Sequence, residues 1–309
     1  MLAACASAPG ADAPINRDSL RALRWIAPGA DIVRALTSEP VSCRVPLEST
    51  GSVTVLKNNF KYTNIDVGRI AFESPALLGG AAGRMGLSCA SCHINGRGNP
   101  DFFLEGVSGA AGTADVTNSL FSKSRGNGAF DPTPIPDLAA RDGMQMKIRK
   151  GEAFLAKTHG LIVEEFDGQE PPEQMLYDVI AYMDGLAMCA DPEARQPLSA
   201  QTDMETATTA FWIAWGLAPD GRRIMARAAR ERLERLHERF IGADQADVRA
   251  ALLEASRAIG AWMEAPDAAG EKIVTDALVL AAERVKREQG RSLYEPEVLR
   301  AALAKAGVK

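Results

Sequence analysis

The sequence predicts a mainly α protein. It is rich in Ala and poor in aromatic residues, at only 6%, and such a composition favours helices. Its last third repeats apolar residues three and four apart, which marks successive amphipathic helices. A short stretch, LSCASCH, places Cys89, Cys92 and His93 at the spacing of one helical turn. The 309 residues, 46% of them hydrophobic, are enough for about two domains with a real core. A net charge of −5 argues against a nucleic-acid partner, which needs a basic stripe. No run approaches the roughly 20 apolar residues of a membrane-spanning helix.

Residues 1–16 are rich in Ala, with two Pro, and read as a tether. Leu2-Ala3-Ala4-Cys5 resembles the lipobox of bacterial lipoproteins, in which the Cys becomes the acylated first residue of the mature chain. Neither a charged nor an apolar leader segment precedes it, so the competing reading is a disordered terminus with a chance Cys. Residues 17–63 form an N-terminal arm. Leu20, Leu23 and Ile26 space one short helical pattern, and Ile32, Val33 and Leu36 another, with Pro28-Gly29 breaking between them. Residues 44–62 alternate and contain β-formers, which suits an extended arm or a short hairpin.

The next unit spans 64–190. Asn64–Phe72 is helical, with Asn64 or Asp66 as cap and Ile65, Val67, Ile70 and Phe72 as its apolar members. Pro75 ends it, and the Gly-rich run LLGGAAGRMG at 77–86 reads as a loop. Cys-x-x-Cys-His at 89–93 is the c-type haem attachment signature. Two thiols on one turn can each form a thioether to a haem vinyl group, and the following His can place a ring nitrogen on the iron. The alternatives are a redox dithiol, which should follow a strand in a βαβ unit, and half a zinc site, which needs a second ligand pair. Residues 94–136 show no sustained periodicity and are too long for an idle connection. They read as a loop wrapped around one haem edge. Arg97 or Arg125 is there to pair with a propionate, or else to sit unpaired in a solvated loop. A helix covers 145–158, a turn 164–172, and a second helix 172–187, with Met175, Val179, Tyr182 and Leu186 on one face.

GRIAF at 68–72, GLSCASCH at 86–93 and LYDVIAYMDGL at 176–186 resemble a cytochrome c domain. More narrowly they resemble the haem domains of the di-haem cytochrome c peroxidase superfamily, as do the loop pieces TADVTNSLF at 113–121 and PIPDLAARDG at 134–143. The likeness covers about residues 64–188. It implies one haem c held by Cys89 and Cys92, with His93 as proximal iron ligand. For the sixth position it leaves three readings: His159, one of Met144 and Met146, or an open site. Met175, Met183 and Met188 are better explained by core packing, and His237 by a charged helix surface.

The likeness also implies export, so the localisation expected is the periplasmic side of a bacterial membrane, the outer membrane included, with an anchor at Cys5. In that oxidising compartment leftover thiols tend to pair, so Cys43 and Cys189 are expected as a disulfide. The other reading is two buried thiols. Two departures stand out. The peroxidases use two haems, whereas one attachment motif occurs here, and the family's His-Asp-Gly is Arg141-Asp142-Gly143. One-electron transfer to a redox protein partner is therefore the function expected. The alternative is a peroxidase-like haem enzyme.

A linker at 189–200 leads to an α-helical domain, 200–309. Its helices are expected at about 201–217, from Pro219, from an Asp244 cap, at 267–288 and at 296–306. Each has one apolar face, as in a bundle packed on itself or on the haem unit. RRIMARAARERLERLHER reads as a solvated face laced with ion pairs.

Overall fold

The computed structural model describes residues 41–43, 52–56, 58–93, 98–138, 152–188, 195–197 and 199–305. The expectations placed on Cys5 and the 1–16 tether, residues 18–37, Arg97, Arg141-Asp142-Gly143, Met144, Met146 and Cys189 fall outside these residues. What is described is mainly helical.

Strand β1 (Val41–Cys43) pairs antiparallel with β6 (Arg195–Pro197), with Cys43 opposite Arg195. The arm thus reaches the linker between the two helical regions. Strands β2 (Val53–Val55) and β3 (Lys61–Thr63) form the expected hairpin. Asn59 takes the left-handed conformation at its turn, φ 63°, as Asn does more readily than most residues.

Helix α1 (Asn64–Glu73) follows directly. Its cap is Thr63, not Asn64 or Asp66. The Thr63 hydroxyl accepts from the Asp66 N–H at 3.2 Å, and the Asp66 carboxylate accepts from the Thr63 N–H at 2.9 Å. Asp66 is thus the reciprocal half of a capping box. Ile65, Val67, Ile70 and Phe72 are buried as expected. The Gly-rich run is not a plain loop. It forms two short helical turns, α2 (Pro75–Leu78) and α3 (Gly80–Arg84), hinged at Gly79. A Cβ at Gly80 would lie 2.0 Å from the Phe166 carbonyl oxygen, so this corner packs backbone to backbone on a distant turn.

Helix α4 (Cys89–Cys92) carries the motif. Two-residue strands β4 (Thr113–Ala114) and β5 (Thr133–Pro134) pair within the long loop. Helix α5 (Glu152–Gly160) runs on into a π-helical turn, Leu161–Glu165, so helical backbone extends beyond the 158 expected. Helix α6 (Glu173–Met188) closes the unit and packs across α1. Gly68 is the crossing point: a Cβ there would lie 1.9 Å from the Asp178 carbonyl oxygen. Next to it, Phe72 meets Tyr182 edge-on at 5.4 Å.

The bundle comprises α7 (Ala200–Gly216), α8 (Pro219–Arg239), α9 (Ala246–Glu264), α10 (Ala268–Glu288) and α11 (Pro296–Lys305). Asp244 does not cap α9; it lies in a 3-10 turn, Ala243–Gln245, and Gln245 is the cap residue. The bundle docks on the first unit through α7 and α8 against α1, and through α8 against α2. One hydrophobic core runs from Tyr62 to Val285, and a small second cluster, including Leu293, Leu299 and Leu303, seats α11. No helix among the described residues is long and apolar enough to cross a membrane.

The docking seam contains charge. Arg232 of α8 is buried. It donates to Asp203 Oδ1 at 2.8 Å and to the Glu73 carboxylate. Tyr294 donates to the other Asp203 oxygen, and Ser74 Oγ to Glu231 at 2.5 Å. The solvated-face reading of this stretch therefore fails at Arg232, which turns inward because two acids on α1 and α7 wait there. It holds for the outer pairs Arg223–Asp220 and Arg230–Glu234.

A buried acid sits under the α1–α6 crossing. Asp178 accepts from Gln174 Nε2 at 3.0 Å, and burial pushes its carboxyl up to about 6. The folded state therefore holds this proton more tightly than the unfolded chain. Its stabilising effect is complete below the unfolded value near 3.8 and fades as pH rises to about 6. Each pH unit of that window is worth about 1.4 kcal/mol. The window amounts to about 3 kcal/mol, which solvent screening at this partly solvated carboxyl reduces, so Asp178→Asn is expected to remove the falling limb and to leave the variant about 2 kcal/mol more stable than wild type at pH 7. Urea melts at pH 4 and pH 7 check this, and equal pH slopes in the two proteins would refute it.

Candidate haem-attachment site

The motif helix starts where buried Leu87 anchors the chain in the core. The Ser88 N–H donates to Ser91 Oγ at 3.0 Å, and the Ser91 N–H to the Ser88 carbonyl at 3.0 Å. The His93 N–H closes the turn on the Cys89 carbonyl at 2.8 Å. α4 packs against α1, so the α1–α6 crossing supports the motif from behind.

Cys89 and Cys92 are half-buried and pack on the core. Burial pushes both thiols up to about 12. That is the opposite of a redox dithiol, whose nucleophilic Cys has a lowered value. Among the described residues no group of three or more His, Cys, Asp or Glu is placed to hold a metal ion, so the zinc reading of the pair gains no ligands there.

His93 Nδ1 lies 3.0 Å from the Pro136 carbonyl oxygen. A carbonyl only accepts, so Nδ1 carries a proton. Metal-ligating imidazoles are commonly oriented in this way, by an acceptor at the other ring nitrogen. Two thiols on one turn beside that imidazole fit a covalently attached haem.

Around the site, the structure distributes the other candidates. His159, on α5, directs Nε2 to Glu170 Oε1 at 2.6 Å. To bind iron through that nitrogen it would have to leave the carboxylate. Arg125 pairs with Glu164 at 2.6 Å and Glu165 at 3.5 Å, so its guanidinium is engaged by glutamates of the π-helical turn rather than held out for a propionate. That hydrogen bond holds the Glu164 carboxyl below its ordinary range, whereas burial pushes Glu165 up. His237 lies on α8 in the bundle, where burial pushes its imidazole down. Met175 and Met183 are buried, as the packing reading expects.

Sequence reasoning missed two members of the site, the Pro136 carbonyl and Asn99. The first is a backbone acceptor with no signature of its own. The second lies in the irregular loop and donates from Nδ2 to the Ser91 carbonyl at 2.9 Å. Compared with known proteins, the chain matches no family model, no curated protein and no solved structure.

Proposed function

We propose that this chain is a c-type cytochrome that transfers single electrons through one covalently bound haem. The observation that carries the reading is the His93–Pro136 hydrogen bond beside two thiols on the same turn. Cys89 and Cys92 would hold the porphyrin covalently, and His93 would ligate its iron. When bound, the haem supplies the one-electron couple. The chain sets its potential by ligation, burial and nearby hydrogen bonds. Met144 or Met146 is favoured for the sixth position because His159 is held by Glu170. The likeness to exported cytochromes supports a periplasmic location, and the lipobox-like Leu2-Ala3-Ala4-Cys5 supports a lipid anchor there. The partner is another redox protein, met through a small and weak contact.

The strand pair β1–β6 sets Cys43 opposite Arg195, six residues after Cys189. A Cys43–Cys189 disulfide belongs to the same reading, since leftover thiols tend to pair in an oxidising compartment. The engagement of His159 also keeps a second reading, a peroxidase-like enzyme with an open sixth position.

Spectra and intact mass of the exported protein test these points together. The expected product exceeds its polypeptide mass by one haem and shows a Soret band with six-coordinate, low-spin ferric iron. Its mass also records an acyl modification and one disulfide. Cys89→Ser/Cys92→Ser is expected to abolish the covalent haem. A bare polypeptide mass without a Soret band would overturn the cytochrome reading, and a high-spin ferric spectrum would favour the peroxidase-like one.

A further inference from the structure

We propose that Asn99 is a positioning residue for the His93 imidazole, acting through a closed circuit of hydrogen bonds. The proposal deepens the haem-attachment reading and rests on it for its consequence, though not for its geometry.

The motif helix has four residues, so its carbonyls lack partners within it. The Cys89 carbonyl is taken by the His93 N–H at 2.8 Å. The Ser91 carbonyl is taken by Asn99 Nδ2 at 2.9 Å. Asn99 is buried, and its Oδ1 accepts from the Asp101 N–H at 3.1 Å. One end of the amide must donate and the other accept, so its orientation is fixed.

From Asn99 the circuit runs across the loop. The Asn99 carbonyl accepts from the Phe102 N–H at 3.2 Å, the Phe102 carbonyl from the Gly112 N–H at 2.9 Å, and the Gly112 carbonyl from the Ile135 N–H at 2.9 Å. The next residue is Pro136, whose carbonyl holds His93 Nδ1 at 3.0 Å. His93 is two residues along the chain from Ser91, which closes the ring. Phe102 is completely buried and anchors the middle of the circuit. The acceptor that aims the imidazole is therefore referenced to the backbone of the motif helix, and Asn99 is the only side chain that donates within this circuit to that helix. Without its amide, the 133–136 segment and the motif helix are free to shift relative to each other.

Asn99→Asp keeps the shape and the Asp101 contact but places an acceptor against the Ser91 carbonyl. Asn99→Leu removes both polar ends. Thr113→Val is the control. Thr113 Oγ1 accepts from Gly109 and Ala110 and donates to the Ala110 carbonyl, so its loss weakens the loop while removing none of the circuit's hydrogen bonds. Two readouts follow. In the chain before haem loading, nitrogen NMR reports the His93 tautomer. In the loaded protein, the midpoint potential and the low-spin ferric g-values report the ligand. Both Asn99 variants are expected to shift His93 away from the Nδ1–H tautomer and to shift potential and g-values. Thr113→Val is expected to lower the melting temperature and change neither readout. Wild-type tautomer in folded Asn99→Asp would overturn the proposal. A wild-type protein that binds no haem would overturn the cytochrome reading, while the tautomer comparison still decides the role of Asn99.

Discussion

Gly68→Ala is expected to cost about 3 kcal/mol of folding stability, at the upper end of the usual cost of overpacking. In an isolated helix the change would be favourable by about 1 kcal/mol. Here the added carbon would sit 1.9 Å from the Asp178 carbonyl oxygen, 2.3 Å from its carbon and 2.8 Å from the Val179 nitrogen. All three are backbone atoms in the middle of α6, so no side chain can swing away. The helices must part, and the Phe72–Tyr182 contact beside the crossing opens with them. Gly290→Ala is the matched control, because nothing lies within 4 Å of that position. Urea melts of both variants give the answer. A Gly68→Ala protein as stable as wild type would mean that α1 and α6 do not cross at this residue.

Arg232→Met is expected to cost about 3–5 kcal/mol, the usual result of removing one partner from a buried pair. The guanidinium forks between Asp203, whose side chain is 2% exposed, and Glu73, at 15%. Its pull helps to hold the Asp203 carboxyl below its ordinary value against the opposing effect of burial. Without it, two carboxylates remain in the seam with the Tyr294 hydroxyl, Arg69 and Arg235 as their remaining polar neighbours. Replacing Arg232, Asp203 and Glu73 together by apolar residues of similar volume should recover most of the loss, since a buried ion cluster is often no better than good packing. Equilibrium unfolding of the single and triple variants separates the two effects. A single variant within about 1 kcal/mol of wild type would show that the seam is wet and its charges screened.

Much of the bundle was legible because its signal is local. Val274, Leu278, Ala281 and Val285 share one helical face in the sequence and are all buried in the fold. Asp267 caps that helix as a short acceptor should. The 77–86 run was misread because glycine weighs against helix, while tertiary contact with the 166–168 turn holds Gly80 in place. Thr63 was missed as a cap because it also ends a strand. Arg232 was missed because a run of alternating charges does not reveal which one faces an acid on another helix. The attachment motif is compact enough to read by eye. Its support is not: Pro136 lies 43 residues from His93 and contributes only a carbonyl, and Asn99 looks like any polar loop residue.

The continuity of the core sets how this protein can come apart. Ile70 and Leu77 share one apolar interior with Met225, Leu233 and Ile259, so the two halves have no private reserves of stability. A shared interior couples the unfolding of the two halves, so loss of one exposes apolar surface on the other. Severing the chain in the linker would leave each half with a raw oily face instead of two working parts.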